Sequence, residues 1–500
     1  MSTGRIVIAL EEPIAYISPN LYGHFAEHLG ACIDGGVWVG QSSAIPNVDG
    51  LRRDVIEALR RIRPAVLRWP GGCFADDYHW EDGVGPQATR PRRVNIWWGQ
   101  SIETNEFGTH EFIQLCRLIG AQPYIVGNVG SGSPRELREW VEYCNFAGDS
   151  ALARRRAANG SPEPFAVRYW GVGNENYGCG GNLDPEDYAV AYRRYATYLR
   201  DLGETPLYLI ACGPGGNNAE WTRRFFSKLR LPGPSGIWAR IHGFAAHYYC
   251  GTAGTATEYT DDQWYELLCR SLRMEPLIQE QRAVMDEFDP EHKIGLVVDE
   301  WGTWHPPTSG RHPDHLWQQN TLRDALVAAL TLDIFNRNAD RVVMANIAQT
   351  VNVLQAMVLT EGERILTTPT YHVFDMYQGH QGAQSVRTHF EADDIRFSVN
   401  GREERLPGLC GSASIKGNVL TVSVVNPSAT NALEAAFELR GSRASHGQVT
   451  VLTAADIRAH NTFEQPGAVV PSTASIRIEG STWRQVLAPA SVTVFSIVLS

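Results

Sequence analysis

The stretch that decides the fold is a short apolar strand with a polar end. It is residues 167–176, VRYWGVGNEN, in which a run rich in aromatic and β-branched residues stops at Gly173 and is followed by Asn174 and Glu175. A run of this length and composition is typical of a buried strand. Seven further apolar runs of strand length lie between residues 18 and 384: 21–25, 65–69, 123–127, 207–212, 241–247, 294–298 and 342–347.

Helical patterns alternate with these eight strands. In one of them, Ser133 is a predicted N-cap, Pro134 the first helical residue and Glu136 the capping-box partner. The predicted helices are 53–62, 109–119, 133–144, 184–199, 218–230, 263–288, 316–336 and 369–379. Eight alternating pairs predict a (β/α)8 TIM barrel. The alternative, a doubly wound open sheet, usually carries a glycine-rich nucleotide loop, and the sequence contains neither GxGxxG nor GxxxxGK[ST].

The pattern changes after about residue 385. Short β-rich runs then follow at closer spacing, separated by Ser, Thr, Asn and Gly: 395–399, 419–425, 435–439, 448–452, 474–478 and 492–498. This pattern predicts an all-β sandwich, jelly-roll-like, which the N-terminal strand at 5–10 completes. We therefore expect a catalytic barrel over 18–384 and a sandwich domain formed by 1–17 plus 385–500.

Charge and cysteine content exclude several classes of function. The 500-residue chain has 55 Asp and Glu against 44 Lys and Arg, a formal net charge of −11. Nucleic acids and anionic membranes require a basic surface, so neither is an expected partner. The nine cysteines are odd in number and form no CxxC pair, which argues against a zinc ribbon or a disulfide scaffold. With no signal-peptide core in residues 1–13, the expected location is the reducing cytoplasm.

Two glutamates that end apolar strands are the main candidates for catalysis. Glu175 follows Asn174 at the end of the fourth predicted strand, and Glu300 follows Asp299 at the end of the seventh. A (β/α)8 barrel has its active site at the carboxyl ends of the strands, so both side chains should face one pocket. Such a pair performs glycoside hydrolysis when one carboxyl group is kept neutral, by burial and the other's charge, and the other is ionised. The alternative for either glutamate is a structural salt bridge or a helix cap.

Other strand ends supply residues suited to a sugar pocket. Polar side chains there can bind hydroxyl groups or hold the carboxylates, and tryptophans can form platforms for a sugar ring, although core packing is the commoner fate of a tryptophan. These candidates are Glu27, Arg68, Asn174, Tyr249, Gln349, Trp69, Trp301 and Trp304. Cys73 and Cys179 follow the second and fourth strands and are expected to be packed thiols. No HExxH motif occurs, and His242 and His247 fall on opposite faces of a strand, so no metal or organic cofactor is expected.

Several motifs together resemble the α-L-arabinofuranosidases of glycoside hydrolase family 51, in clan A. They are YGHFAEHLG at 22–30, RWPGGCF at 68–74, GNEN at 173–176, DEW at 299–301, ANIAQ at 345–349 and HNTFE at 460–464 with Pro466. The resemblance implies that Glu175 is the general acid/base and Glu300 the nucleophile. It also implies that Glu27, Asn174, Tyr249 and Gln349 bind the arabinofuranosyl unit. With Arg68, Cys73, His247 and Trp301, taken from the strand ends, these residues form the predicted substrate-binding set. Some relatives carry Asn where this chain has Cys73, and a thiol is a poor hydrogen-bond partner, so a side-chain contact with the sugar is expected to be lost there.

The expected function is therefore an exo-acting, retaining α-L-arabinofuranosidase. It would release terminal arabinofuranosyl residues from oligosaccharides of arabinan or arabinoxylan, within L-arabinose metabolism, and the resemblance implies a homohexamer. Two alternatives remain at this stage. One is a clan-A retaining endo-β-glycanase acting on glucan or xylan, and the other is a catalytically inactive sugar-binding protein.

Overall fold

Eight parallel strands close into a barrel in the computed structural model, which describes residues 2–229 and 240–500. The strands are β1 (Gly23–Phe25), β2 (Val66–Trp69), β3 (Gln122–Gly127), β4 (Tyr169–Val172), β5 (Tyr208–Ala211), β6 (Gly243–Tyr249), β7 (Gly295–Gly302) and β8 (Val342–Ala348). Each pairs with the next in chain order, and β8 pairs with β1. The TIM barrel prediction is confirmed, and all eight predicted strands lie in it.

Helices follow the barrel strands in the expected alternation. In the described residues they are α1 (Arg53–Ile62), α2 (Thr109–Ile119), α3 (Pro134–Asn145), α4 (Ala151–Ala158), α5 (Pro185–Tyr198), α6 (Ala219–Leu229), α7 (Asp261–Ser271), α8 (Met274–Phe288), α9 (Leu322–Arg337) and α10 (Pro369–Met376). The predicted helix at 263–288 is two helices, and α4 was not predicted. The last residue of the predicted helix 218–230 lies outside the described residues. Among the helices of the described ranges, none is both long and apolar enough to cross a membrane.

Side-chain caps start the helices where the sequence indicates. Ser133 Oγ accepts a hydrogen bond from the Glu136 amide at 3.2 Å, and Pro134 occupies the first turn of α3. Asp184 caps α5 in the same way, accepting from the Asp187 amide at 2.9 Å. These caps satisfy amides that have no partner within the helix, and they fix where each helix leaves its loop.

Side chains from the strands fill the barrel interior. A buried cluster of Val66, Tyr124, Ile210, Val297 and Met344 spans the strands. The barrel is therefore a packed core, and an open site is left only where the strands run into their loops.

Nine strands form the sheet of the second domain, a sandwich as predicted. They are Ser2–Tyr16, Gln384–Ala392, Cys410–Lys416, Val419–Asn426, Leu433–Arg440, Ala444–Leu452, Ser472–Gly480, Thr482–Leu487 and Ser491–Leu499. The N-terminal strand lies inside this sheet, antiparallel to Gln384–Ala392 and parallel to Leu433–Arg440. The exact limits of the two domains, 18–384 and 1–17 plus 385–500, stay a prediction.

One predicted strand of the sandwich does not join its sheet. Ile395–Val399 forms a separate hairpin with Arg402–Leu406. The connecting residues Asn400 and Gly401 both have positive φ, 50° and 79°, which is the requirement of the tight Asn-Gly hairpin turn. The local turn therefore pairs this strand with its sequence neighbour.

Helix α9 joins the barrel to the sandwich. Every residue from Leu322 to Asn336 is buried, because the helix is covered on all sides. Its Asp333 accepts hydrogen bonds from Ser412 Oγ at 2.7 Å and from Ser423, both on sandwich strands. Tyr377 donates to the other oxygen of the same carboxylate at 3.2 Å.

Candidate active site

Glu175 and Glu300 meet at the mouth of the barrel. Glu175 lies three residues beyond β4 and has a φ of 41°. Residues other than glycine rarely adopt a positive φ, and those that do are often found at functional sites. Glu300 lies within β7 and is buried. One oxygen of each carboxylate and one ring nitrogen of His247 all lie within 4.8 Å of one another. The two strand ends therefore bring both carboxyl groups to one point, as the sequence predicts.

Two donors hold the Glu300 carboxylate. The Arg68 guanidinium donates from Nη1 to Oε1 at 2.9 Å, and the Tyr249 hydroxyl donates to Oε2 at 2.8 Å. Arg68 also donates from Nη2 to Asn174 Oδ1 at 2.6 Å. Arg68 is buried, so its charge acts on the Glu300 carboxylate with little screening.

His247 bridges the carboxylates of the site. Its Nδ1 is 2.9 Å from Glu175 Oε1 and 3.6 Å from Glu300 Oε2, and its Nε2 is 2.9 Å from Asp299 Oδ1. Burial lowers the pKa of His247, but the charges of Glu300 and Asp299 outweigh it and raise that pKa well above the usual value. The protonated His247 ring is thus a cation held among carboxylates. Its proton occupies the ring nitrogen that a metal ion bound between Glu175, His247 and Glu300 would need.

The protonation of Glu175 differs from the sequence-based expectation. Burial and the neighbouring charge were expected to keep one carboxyl group neutral. Burial does act to raise the pKa of Glu175, but the hydrogen bond and the charge of His247 lower it below the usual value. In the free protein, the proton therefore lies on His247 and faces Glu175.

Glu27, at the end of β1, is the second buried acidic centre. Its Oε1 accepts from the Gly72 amide at 3.0 Å and from Trp98 Nε1 at 3.0 Å, and its Oε2 accepts from Gln349 Nε2 at 2.7 Å. Burial, with a contribution from the charge of Glu300, raises the pKa of Glu27 to about 7. Gln349 Oε1 is buried and has no hydrogen-bond partner among the described residues, so it is available to a ligand hydroxyl.

Asp76 fixes the ends of two strands and was not predicted. It lies in the short 3-10 turn Cys73–Asp76 after β2. Its Oδ1 accepts from the amides of Val129 and Gly130 at 2.7 and 2.9 Å, and its Oδ2 accepts from the Asn174 amide at 2.7 Å. Asp76 thereby holds the Asn174–Glu175 segment in place. The sequence gives no signal for this role, because an aspartate in a long loop is usually solvated.

Cys73 and Cys179 are joined in a disulfide, which corrects the expectation of two packed thiols. Their Cα atoms are 5.5 Å apart. The bridge links the loop after β2, which carries the Gly72 amide, to the loop after β4, which carries Glu175. At Cys73 the pocket thus has a covalent link in place of a weak hydrogen-bonding thiol.

Two tryptophans predicted at this site differ in placement. Trp301 is only 1% exposed and packs against the rings of Phe335 on α9 and Phe374 on α10, and its assignment to substrate binding stays a prediction. Trp304 is 37% exposed and meets the Tyr249 ring edge-on at 4.9 Å, at the mouth of the site. Trp98, in the long loop after β2, was missed because that loop has no periodic pattern.

This arrangement provides the parts for acid-assisted nucleophilic substitution. It has one carboxyl group held by a cation and a hydroxyl, a second carboxyl group that shares a proton with an imidazole, and hydrogen-bonding groups around both.

Comparison with known proteins identifies the family. A family model of the α-L-arabinofuranosidase 1 domain matches residues 58–261, and one of the α-L-arabinofuranosidase C-terminal domain matches residues 299–491. An intracellular exo-α-L-arabinofuranosidase of Bacteroides ovatus is 43% identical over 94% of this chain and 90% of its own. The chain belongs to the α-L-arabinofuranosidases of glycoside hydrolase family 51. It is therefore a hydrolase with α-L-arabinofuranosidase activity.

Solved structures of family 51 agree with this membership. The crystal structure of the arabinofuranosidase of Xanthomonas axonopodis pv. citri is 41% identical, covers 99% of this chain and 100% of its own, and superposes with a TM-score of 0.95. The Thermotoga maritima α-L-arabinofuranosidase, solved as an arabinose complex, is 32% identical with a TM-score of 0.87, again over 99% and 100% of the two chains.

Proposed function

We propose that the enzyme removes terminal α-L-arabinofuranosyl residues with retention, by double displacement. The observation that carries this proposal is the close approach of Glu175 and Glu300, within 4.8 Å between carboxylate oxygens. Retaining glycosidases hold their carboxyl groups about 5–5.5 Å apart, whereas inverting enzymes leave about 6.5–9.5 Å for a water molecule. A nucleophile bonded directly to the anomeric carbon suits the shorter spacing.

Glu300 acts as the nucleophile in this proposal. Arg68 and Tyr249 hold its carboxylate in place by hydrogen bonds and aim one oxygen at the anomeric carbon. As the glycosyl–enzyme bond forms, the negative charge on Glu300 is lost, and the Tyr249 hydroxyl can then turn to the ring oxygen or a neighbouring hydroxyl. Glu27, Asn174 and Gln349 bind the hydroxyl groups of the sugar.

Glu175 acts as the acid and then as the base. The proton that it gives to the leaving oxygen is the one shared with His247 Nδ1 across 2.9 Å. Once this proton has moved to Glu175, the His247 imidazole is neutral. Its Nε2 still carries a hydrogen and faces Asp299 Oδ1, 2.9 Å away. In the second step Glu175 takes a proton from water, and the pair returns to its starting state.

The resemblance to family 51 enzymes also suggests the substrate, the cellular location and the oligomeric state. We infer arabinose-decorated oligosaccharides of arabinan or arabinoxylan as substrates, cleaved from the non-reducing end. The Bacteroides ovatus relative is named an intracellular exo-enzyme, which supports exo action and a cytoplasmic location. A homo-oligomer, hexameric by family resemblance, is proposed on that ground alone.

The test combines stereochemistry with variants of the two glutamates. On an aryl α-L-arabinofuranoside, NMR of the first-formed sugar should show the anomer of retained configuration. Glu300→Ala should abolish turnover, and azide should restore part of it and give a glycosyl azide of inverted configuration. Glu175→Ala should spare activated phenol leaving groups more than natural substrates, since only the latter need protonation.

A matched control is Glu391→Ala, an exposed glutamate of the sandwich, which should behave as wild type in every assay. Inverted product from the wild-type enzyme, or full activity of Glu300→Ala without azide, would refute the mechanism. Preferential cleavage within β-linked glucan or xylan chains would favour the endo-glycanase alternative.

A further inference from the structure

The Cys73–Cys179 disulfide lies against the carboxylate proposed as the acid/base. Cys179 Sγ is 3.8 Å from Glu175 Oε2, and both cysteines are half-buried at the rim of the pocket. A small reductant entering from solvent can therefore reach the bridge. No step of the proposed hydrolysis uses this bridge.

Opening the bridge would create a set of metal ligands. Cys73, Glu175 and Cys179 each contribute one ligand atom, and these three atoms lie within 4.8 Å of one another. Two thiolates and a carboxylate are ligands that Zn²⁺ prefers, and Zn–S bonds of about 2.3 Å in tetrahedral geometry place the two sulfurs roughly 3.8 Å apart. Side-chain rotation achieves that separation when the Cα atoms are 5.5 Å apart. In the disulfide the sulfurs carry no charge, and thiolate is the form that binds metal.

The position of Glu175 decides what such a cation would do. Its Oε1 is paired with His247 Nδ1 at 2.9 Å, so Oε2 is the oxygen that faces the sulfurs. A divalent cation on Oε2 stabilises the ionised carboxylate and opposes its protonation. Glu175 then cannot carry the proton that the leaving oxygen needs.

We propose that the Cys73–Cys179 disulfide is a redox-controlled cover over a zinc site that includes Glu175. A dithiol supplies two electrons and two protons, which cleave the S–S bond to two thiols while the dithiol becomes a disulfide. Zn²⁺ then binds both sulfurs and Glu175 Oε2, and the two thiol protons pass to solvent. The oxidised enzyme keeps its activity in the presence of zinc, and the reduced enzyme loses most of it. The effect on activity rests on the proposed acid/base role of Glu175; the metal site itself does not.

The test compares oxidised and reduced enzyme at equal, micromolar Zn²⁺. The reductant is removed by desalting without oxygen, and bound zinc is measured by atomic absorption after dialysis. The reduced enzyme should bind one more Zn²⁺ per chain than the oxidised enzyme and lose activity by about ten-fold or more. Chelation followed by reoxidation should restore activity. With Co²⁺ in place of zinc, the reduced enzyme should show the near-ultraviolet absorption of a cobalt–thiolate bond.

Cysteine variants separate this site from others. Cys73→Ser and Cys179→Ser should each lose the additional zinc, whereas Cys269→Ser, a half-exposed free cysteine elsewhere on the barrel, should keep it. The proposal is overturned if the reduced enzyme takes up no additional zinc, or if Cys73→Ser retains it. Additional zinc with unchanged hydrolysis of natural substrates would uphold the metal site and contradict the role proposed for Glu175.

Discussion

His247 lies among three carboxylates and shares its proton with Glu175 across 2.9 Å. Its positive charge lowers the pKa of Glu175, while Asp299 and Glu300 raise its own. The proton for leaving-group departure is therefore stored beside the carboxyl group that delivers it. The pKa of Glu27 is shifted in the opposite direction: burial raises it to about 7, and no cation among the described residues contacts its carboxylate.

The raised pKa of Glu27 predicts a pH-dependent cost to stability. Below pH 4.5 the carboxyl is protonated in both the folded and the unfolded chain; between pH 4.5 and about 7 only the folded chain keeps the proton. The free energy of unfolding therefore falls as the pH rises through this window, by up to about 3 kcal/mol. Glu27→Gln should raise the melting temperature at pH 8 and change it little at pH 5.

Thermal denaturation at both pH values measures this effect, with exposed Glu391→Gln as the control that should show no difference. An equal shift for Glu27→Gln at pH 5 and pH 8 would mean that the buried charge is not the cause. The variant should also lose affinity for the sugar, since Glu27 is proposed to bind its hydroxyl groups.

Single residues differ in how far the sequence predicts them. Glu175 and Glu300 were found because a polar residue directly after an apolar strand falls at the mouth of a barrel. The Cys73–Cys179 bridge was not found, because its partners lie in two loops whose approach depends on the whole barrel. Asp76 was missed for the same reason, because its hydrogen-bond donors are backbone amides of distant loops.

Two long loops form one wall of the site. The loop after β2 carries Trp98, which donates to Glu27 at 3.0 Å. The loop after β7 carries His315, whose Nε2 is 2.9 Å from Ser101 Oγ in the first loop, and the His312 ring stacks on His315 at 4.4 Å. The contact between the loops thus holds Trp98 against Glu27.

Loosening this contact between the two loops should weaken substrate binding more than it slows the catalytic step. His315→Ala removes a hydrogen bond and a stacked ring, worth about 1 kcal/mol to the closed arrangement. KM for an aryl arabinofuranoside should rise by up to about five-fold, with kcat little changed. Steady-state kinetics provide the measurement, and exposed His389→Ala on the sandwich is the control. A fall in kcat at constant KM would show that the loops act on the reaction step instead.

Elements with a strong local pattern were predicted well, and elements set by distant contacts were not. The eight barrel strands follow from their Val-, Ile- and Tyr-rich runs. The break between α7 and α8, at Leu272 and Arg273, is marked only by Pro276 in the first turn of α8, and the apolar pattern continues across it. Ile395–Val399 has the composition of a sheet strand, but the Asn400–Gly401 turn pairs it locally.

At the scale of the whole molecule, a buried polar contact joins the barrel to the sandwich. Asp333 of α9 accepts from Ser412, Ser423 and Tyr377, and burial raises its pKa to about 6. The sandwich strands thereby cover a helix that has no solvent-exposed face. The sequence predicts both domains, but it does not predict this contact, because a serine on a strand gives no sign of its partner.

Removing the shared carboxylate should destabilise both domains together. Asp333→Ala leaves buried hydroxyl groups without an acceptor, at a cost of about 3 kcal/mol or more. The melting temperature should fall in a single transition, measured by calorimetry. Asp340→Ala, which removes a partly exposed salt bridge to Arg282, should cost less than about 1 kcal/mol. Separate melting of barrel and sandwich in Asp333→Ala would show that the contact does not couple them.

The first strand to be synthesised has partners that are made much later. Ser2–Tyr16 pairs with Leu433–Arg440, which the ribosome makes roughly 430 residues later. At about 5–20 residues per second, that strand waits on the order of 20–80 s for its neighbour. The other neighbour, Gln384–Ala392, is made earlier and can pair first, so chaperone binding to the remaining unpaired edge of the N-terminal strand should end only when Leu433–Arg440 emerges.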